Sequence, residues 1–460
     1  MRLYTLTSDL HGELAHSAHN EQFIKDIEEA IGESFDYRES DFSDYGAAGD
    51  IIYVRTGGTE GIFRQVFEGH EGARVRLLTS GQSNSLAASM EILSWLNQQG
   101  LDGEIIHGSI KEIANELLRY YPSSARNTPS LVKRFSGRKM LAGKRFGVIG
   151  KPSDWLISSA VDYAKARKTL GVELIDIPMS ELLSAVAAFS TEALSATTFA
   201  SLIPPTVCFQ AESEQAPSVL SHSAGPSRSR DHGRPRVAAD SASAFGAPAL
   251  KELNNPKYGK SLTDKDMEGA LQIYAALKQL IAKYHLDGFT LRCFDLLTAV
   301  HNTGCLALAL LNSEGFIATC EGDIPAMLSM AIVRTKYGKS GFQVNLSRIA
   351  GGNFLFAHCT VPLDMVTDYC YDTHFESGIG VAIHGQLPLG PARLFKLSAD
   401  LEHCIDERVN IIDNPYGNNL CRTQVVVRGW ADRDKEVGKE ALRNYMLHEP
   451  LGNHHILITQ

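Results

Sequence analysis

The feature that most restricts this chain is a repeated unit: a short apolar run, then a small polar turn, then a helix with one apolar face. In the first unit Val75-Arg76-Leu77-Leu78 has the length and composition of a strand and Thr79-Ser80-Gly81-Gln82-Ser83-Asn84-Ser85 is the turn. Leu86, Met90, Leu93 and Leu96 then recur at helical spacing. In the second, Arg145-Phe146-Gly147-Val148-Ile149-Gly150 is the strand, Lys151-Pro152-Ser153-Asp154-Trp155 the turn, and a helix is expected beyond it. Helices layered on a mainly parallel sheet require this alternation, so the fold class expected is α/β with doubly wound layers. The glycines of the second unit do not make a G-x-G-x-x-G pattern, so no dinucleotide is inferred. The first turn offers N–H groups and hydroxyls to a ligand, but an ordinary helix cap is the simpler account of it.

Composition narrows the function. The 460 residues suffice for about three domains, and 44% apolar with 21% charged residues exclude global disorder and collagen-like repeats. Fifty-three acidic against 44 basic residues leave a net charge of -9, a poor match to a polyphosphate backbone, so no nucleic-acid partner is expected. The eight cysteines contain no C-x-x-C pair, which argues against a zinc knuckle or redox dithiol and fits a reducing compartment. No stretch approaches the ~20 apolar residues of a membrane span, and Met1 to Leu6 lacks the apolar core of a signal peptide. A cytoplasmic protein without membrane contact is expected.

Four divisions follow along the chain: residues 1–143, residues 144–208 continuing into a helix within 251–285, an insertion at 209–250, and a carboxyl-terminal domain at 286–460. The insertion is rich in Ser, Pro and Arg, with four Arg against one Asp at 223–236, and its composition supports no core. Thr263-Asp264-Lys265-Asp266 is a helix-capping signature, and Met267, Ala270, Tyr274, Leu277, Ile281 and Tyr284 follow as a core stripe. Beyond it the pattern is strand-rich, with runs at Gly288–Cys293, Leu306–Leu311, Phe316–Cys320, Phe354–His358, Gly380–Ile383, Gln424–Val427 and Ile456–Thr459.

Several of these runs end on residues able to bind a hard or borderline metal. One leads to Asp295, one to Glu321-Gly322-Asp323 and one to His358, while His454-His455 precedes the last. Carboxylate oxygens with imidazole nitrogens suit Mn²⁺, Mg²⁺, Zn²⁺, Co²⁺ or Fe²⁺. If the strand at 316–320 continued, Glu321 and Asp323 would share a side. The competing account is that Glu321-Gly322-Asp323 simply caps a helix from Ile324, with Ala326, Met327 and Met330 buried. His374-Phe375-Glu376-Ser377-Gly378 and Cys421-Arg422-Thr423-Gln424 are further polar clusters, and Arg292 and Arg422 are candidate clamps for an anionic or hydroxylated ligand. Neither a G-x-S-x-G elbow, a P-loop nor H-E-x-x-H is present.

These blocks resemble the L-fucose isomerase and L-arabinose isomerase superfamily, most closely its fucose-isomerase-like branch. The matching stretches are LLTSGQSNSLAASME (77–91), GFTLRCFDLL (288–297), 305–330 ending in CEGDIPAMLSM, AHCTVP (357–362), HFESG (374–378), CRTQ (421–424) and LGNHHIL (451–457). The resemblance implies two Rossmann-like amino-terminal layers, a mixed α+β carboxyl-terminal domain that holds a divalent metal, commonly Mn²⁺, and a homo-oligomer, trimer or hexamer. It implies Asp323 and His454 as metal ligands. Asp295, the nearest carboxylate to the family's first ligand, or Glu321 would complete the set, with His358 where the arabinose branch adds a histidine. The expected activity is aldose–ketose isomerisation of an open-chain monosaccharide through a cis-enediol, with Asp323, Glu321 or Asp295 moving the C2 proton. Asn84, Arg292, His374, Glu376 and Arg422 are the expected substrate contacts. Epimerisation, aldol cleavage and non-catalytic sugar binding share the same requirements and stay open.

Overall fold

The computed structural model describes residues 1–8, 17–119, 130–189, 262–417, 420–429 and 435–460. The chain is a mixed α/β protein. The insertion expected at 209–250 lies outside the described residues.

Five strands open the chain: β1 (Arg2–Leu6), β2 (Asp36–Glu39), β3 (Ile51–Val54), β4 (Val75–Thr79) and β5 (Gly103–Ile106). They form one parallel sheet in the order β2-β1-β3-β4-β5. β4 has the place read from its apolar run. The helix Ser85–Gln98 follows it with Leu86, Met90, Leu93 and Leu96 all buried. After the short β6 (Lys133–Arg134), a second parallel sheet combines β7 (Arg145–Ile149), β8 (Glu173–Ile177), β9 (Gly288–Leu291) and β10 (Ile317–Cys320) in the order β10-β9-β7-β8. The long helix Asp264–Tyr284 begins at the expected capping box, Thr263 with Asp266, and buries Met267, Ala270, Tyr274, Leu277 and Ile281.

The expected strand at Leu306–Leu311 is instead part of a helix, Cys305–Ser313. Its alternation of Leu with Ala resembles a strand period, but neither residue is β-branched and both are strong helix formers. The segment is buried on every side, so no polar face reveals the true period.

The remaining strands are β11 (Phe342–Ala350), β12 (Asn353–His358), β13 (Asp368–Asp372), β14 (Ala382–Gln386), β15 (Gly390–Leu397), β16 (His403–Asp413), β17 (Thr423–Gly429) and β18 (His454–Thr459). Six of them run β15-β18-β11-β12-β17-β16, and β15 pairs again with β16, so an all-antiparallel sheet closes on itself. Closure removes the exposed strand edges, apart from a two-residue addition of β6 to β16. β13 and β14 form a separate hairpin. The register of this barrel positions the site: Asn345 on β11 is opposite Ala357 on one side and His454 on the other. His358, next after Ala357, therefore shares one rim with His454. Among the described residues no helix is long and apolar enough to cross a membrane.

Candidate metal centre and its cavity

Three strand ends from two sheets converge on one point. β10 ends at Cys320, and the chain then turns sharply. Glu321 and Gly322 both adopt left-handed backbone conformations, with φ of 65° and 71°. A Cβ on Gly322 would lie 2.4 Å from the Lys151 carbonyl oxygen, so the turn fits only glycine. The Glu321 carbonyl accepts from the Ser153 N–H, which ties the turn to the loop after β7. The result aims the Glu321 carboxylate at His358 and His454, with Oε1 3.8 Å from His358 Nε2 and 3.3 Å from His454 Nε2. One ligand atom from each of the three lies within 4.8 Å of the others, and both histidines are buried.

The outer nitrogens of both rings are occupied. His454 Nδ1 is 2.8 Å from Asp323 Oδ2, and His358 Nδ1 is 3.0 Å from Thr360 Oγ1. These bonds set the ring orientations and leave both Nε2 atoms facing Glu321, as in metal-ligating histidines held by a carboxylate or hydroxyl behind them. His454 Nε2 is buried and makes no hydrogen bond, and Asn345 Oδ1 beside it is likewise unpartnered. A buried unpaired polar atom costs free energy that an ion would offset. Glu321, His358 and His454 can therefore hold a metal ion, with one face open to the cavity. His455 does not contribute, because the strand pleat turns it the other way, onto Tyr445 Oη at 2.9 Å and the Asn453 carbonyl at 3.0 Å.

Electrostatics bind the cluster tightly even without a cation. Burial alone would depress the His454 imidazolium, but the Glu321 charge and the hydrogen bond to Asp323 outweigh it and lift the group to about 10. Burial likewise opposes ionisation of Glu321, yet the His454 charge and the close approach of both imidazoles hold its carboxyl well below the usual range. A proton on His454 thus occupies the electrostatic role that a cation would take over.

Asp323 lies outside this group of three. It is fully buried, does not line the cavity, and is the N-cap of the helix Ile324–Tyr337, where Oδ1 accepts from the Ala326 N–H at 2.7 Å. Its other oxygen holds His454, and Lys396 Nζ lies 3.8 Å behind it, fully buried and without a hydrogen bond. The capping account of this motif is correct, and it coexists with a role in orienting His454. Asp295 is outside the cluster: it opens the helix Asp295–Ala299 and pairs with Arg292 Nε at 3.0 Å. The strand end that would have carried the first carboxylate supplies Cys293, whose sulfur is 2.7 Å from that of Cys320.

The cavity in front of the triad is lined by Asn84, Trp155, His374 and Glu376, among others. Asn84 Nδ2 donates to Glu376 Oε1 at 2.7 Å, joining the turn after β4 to the loop after β13. His374 is held by Ser377 Oγ at 3.0 Å, and burial keeps its imidazole below the ordinary value. Trp155 Nε1 donates to Glu321 Oε2 at 2.8 Å and packs edge-on against Phe294. The two arginines do not reach the cavity. Arg292 is spent on Asp154, Asp295 and the Pro152 carbonyl. Arg422 donates to the Thr373 carbonyl at 2.7 Å and pairs with Asp372 at 3.3 Å, so it braces the loop that carries His374. Sequence reasoning missed Glu60, Trp155 and Asn345, all of which line the cavity. The available signal for Glu60 was Thr56-Gly57-Gly58-Thr59-Glu60, a small polar turn directly after the apolar Ile51–Val54.

No family model matches the chain, and no curated protein matches it.

Proposed function

We propose that the chain is a divalent-metal-dependent aldose–ketose isomerase of an open-chain monosaccharide, related to the L-fucose and L-arabinose isomerases, with Mn²⁺ as its working metal. The observation that carries this reading is the buried Glu321–His358–His454 triad, with both histidines fixed from behind and an open face on a polar cavity. Two nitrogens and one oxygen suit a borderline divalent ion such as Mn²⁺, Co²⁺, Zn²⁺ or Fe²⁺ better than an all-oxygen site would. The parallel strand order 2-1-3-4-5 of the first sheet agrees with the doubly wound layers that such a relationship implies.

A divalent ion held there supplies Lewis acidity toward O1 and O2 of the sugar, which makes the C2 proton removable. The protein's own groups do the rest. Asp323 and Thr360 keep the histidine Nε2 atoms turned inward, and Trp155 holds the Glu321 carboxylate by one hydrogen bond. The Asn84–Glu376 pair and His374 offer donors and acceptors to the hydroxyls further along the chain of the sugar. An open-chain monosaccharide or a close derivative suits a cavity lined by polar side chains. A cytoplasmic homo-oligomer, trimer or hexamer, completes the proposal.

The test is incubation of the Mn²⁺-loaded protein with a panel of aldoses and ketoses in deuterated water, reading label at C1 and C2 and interconversion. Label with interconversion supports the isomerase, and label with inversion at C2 alone makes it an epimerase. Metal and sugar binding without label would reduce it to a sugar-binding module.

A further inference from the structure

Moving a proton between two carbons needs a carboxyl that is free to do so. Three carboxyls line the cavity: Glu60, Glu321 and Glu376. Both oxygens of Glu321 are engaged, Oε1 toward the two histidines and Oε2 with the Trp155 indole. Glu376 is held by Asn84. Glu60 differs. It is the first residue of the helix Glu60–Val66, only 2% exposed, and its Oε2 is buried with no hydrogen-bond partner.

The chain places Glu60 tightly. The loop after β3 passes Gly57 and Gly58, and a Cβ on Gly57 would lie 2.9 Å from the Cβ of Asn84. The loop is thereby packed against the turn that carries Asn84, and Glu60 enters the cavity from the first sheet while the triad enters from the second sheet and the barrel. Burial pushes the Glu60 carboxyl well above its ordinary range, and the nearby charges of Glu91 and Glu321 add to that push. A buried carboxylate oxygen without a partner costs a fold stability, and a purely structural role gives Oε2 no reason to stay so.

We propose that Glu60 is the catalytic base that takes the C2 proton of an open-chain aldose and, as the acid so formed, returns it to C1. The proposal rests on the isomerase reading above. In the first step the C2–H electron pair becomes the C1=C2 bond and the carbonyl π pair moves to O1. The proton of the O2 hydroxyl then passes to O1. In the last step the O2 electron pair forms the C2 carbonyl, and the C1=C2 pair takes the proton from the Glu60 carboxyl. Nothing is consumed. A carboxyl of raised proton affinity is a stronger base when ionised and retains the proton between the two carbons.

Full-length wild type, Glu60→Gln and Glu60→Asp are compared in three measurements: Mn²⁺ titration, the labelled sugar panel in deuterated water, and infrared spectra of the metal-free proteins. The expected result for Glu60→Gln is Mn²⁺ affinity within about twofold of wild type, with kcat lowered about 100-fold or more and KM little changed. Glu60→Asp, which keeps the acid, should recover part of the rate. The wild-type minus Glu60→Gln difference spectrum should contain the carbonyl stretch of a protonated carboxylic acid, over any contribution that the buried Glu91 makes to both. Interconversion by Glu60→Gln within about threefold of wild type, loss of Mn²⁺ binding in that variant, or a difference spectrum without that band would each overturn the assignment. Wild type that binds Mn²⁺ yet labels no sugar would overturn the isomerase reading itself, and the role of Glu60 with it.

Discussion

Asp323 and Lys396 form a fully buried pair at 3.8 Å, and the pair permits a sharp test of how His454 is held. Replacing Asp323 by Asn retains the side-chain volume, an oxygen for the Ala326 N–H, and a residue type that caps helices as well as Asp does, but sets an amide NH2 where Oδ2 faces His454 Nδ1. The charge and the acceptor facing His454 Nδ1 are both lost. Burial would otherwise raise the Asp323 carboxyl, and the Lys396 charge and the His454 bond are what lower it. Coulomb's law at this separation, with an effective dielectric of about 20, gives about 4 kcal/mol. Loss of one partner of a buried pair costs about 3–5 kcal/mol in general. Glu91 also acts on Lys396, which favours the lower end, about 3 kcal/mol. Urea denaturation of the metal-free protein at neutral pH should show that loss in Asp323→Asn. Adding Lys396→Met should bring stability back to within about 1 kcal/mol of wild type, a coupling that a double-mutant cycle measures directly. In the same Asn variant Mn²⁺ affinity should fall about 10–100-fold, the usual effect of losing a ligand's outer partner. An Asp323→Asn protein as stable as wild type, or a double variant whose losses simply add, would refute the buried pair as the element that holds His454.

The triad predicts that His358→Ala, His454→Ala and Glu321→Gln each abolish stoichiometric Mn²⁺ binding in equilibrium dialysis, whereas Asp295→Ala binds as wild type does. Because His454 titrates near 10 in the metal-free protein, well above the ordinary value near ~6.5, its pairing with the two carboxylates stabilises that form fully below the ordinary value and progressively less as pH rises through about 10. Mn²⁺ must displace the His454 proton, so titration calorimetry in buffers of different ionisation enthalpy should show about one proton released per ion at pH 7.5, and affinity should rise with pH over that window. Equal heats in all buffers would contradict this. Gly322→Ala should lower the unfolding free energy by about 1–3 kcal/mol in urea denaturation and weaken Mn²⁺ binding, since the Glu321 turn cannot keep its path past Lys151. Deleting residues 209–250 should leave Mn²⁺ binding and turnover unchanged, because their composition supports no core.

Much of the site was legible because its donors stand where apolar strands meet polar turns. Glu321, His358 and His454 were each marked by that junction alone. Asp323 was harder to place, since the period-two argument assumes that β10 continues past Cys320. The left-handed turn at Glu321 and Gly322 breaks the period and sends the two carboxylates to different neighbours. Arg292 and Asp295 satisfy one another three residues apart, a short-range pairing that a list of candidate ligands does not weigh against a distant cluster. Leu306 to Leu311 shows the limit of periodicity in a segment buried all round. Glu60 and Trp155 reach the cavity from a helix start and a turn more than 160 residues away from Glu321 in sequence, and only the packing of the sheets brings them there. Barrel closure is a matter of which strands pair, and the pattern of apolar residues along each strand does not encode it.

That closure decides which kinds of sequence change the site can absorb. In an open sheet one strand can slide by a residue at the cost of its own two ladders. In a closed ring of six, the stagger of each strand is fixed by the sum of all the others, so no strand slides alone. The span between His358 and His454 is two inter-strand spacings across β11, about 10 Å between backbones, and it is set by that geometry instead of by any loop. Insertions in the turns between barrel strands should therefore be absorbed without altering the ligand span. A single-residue insertion within β11 would move Asn345 off both partners and turn alternate side chains to the opposite wall. The metal site inherits the rigidity of a hoop, and the natural variation of such a chain should be permissive in loop length and intolerant of any change in strand length.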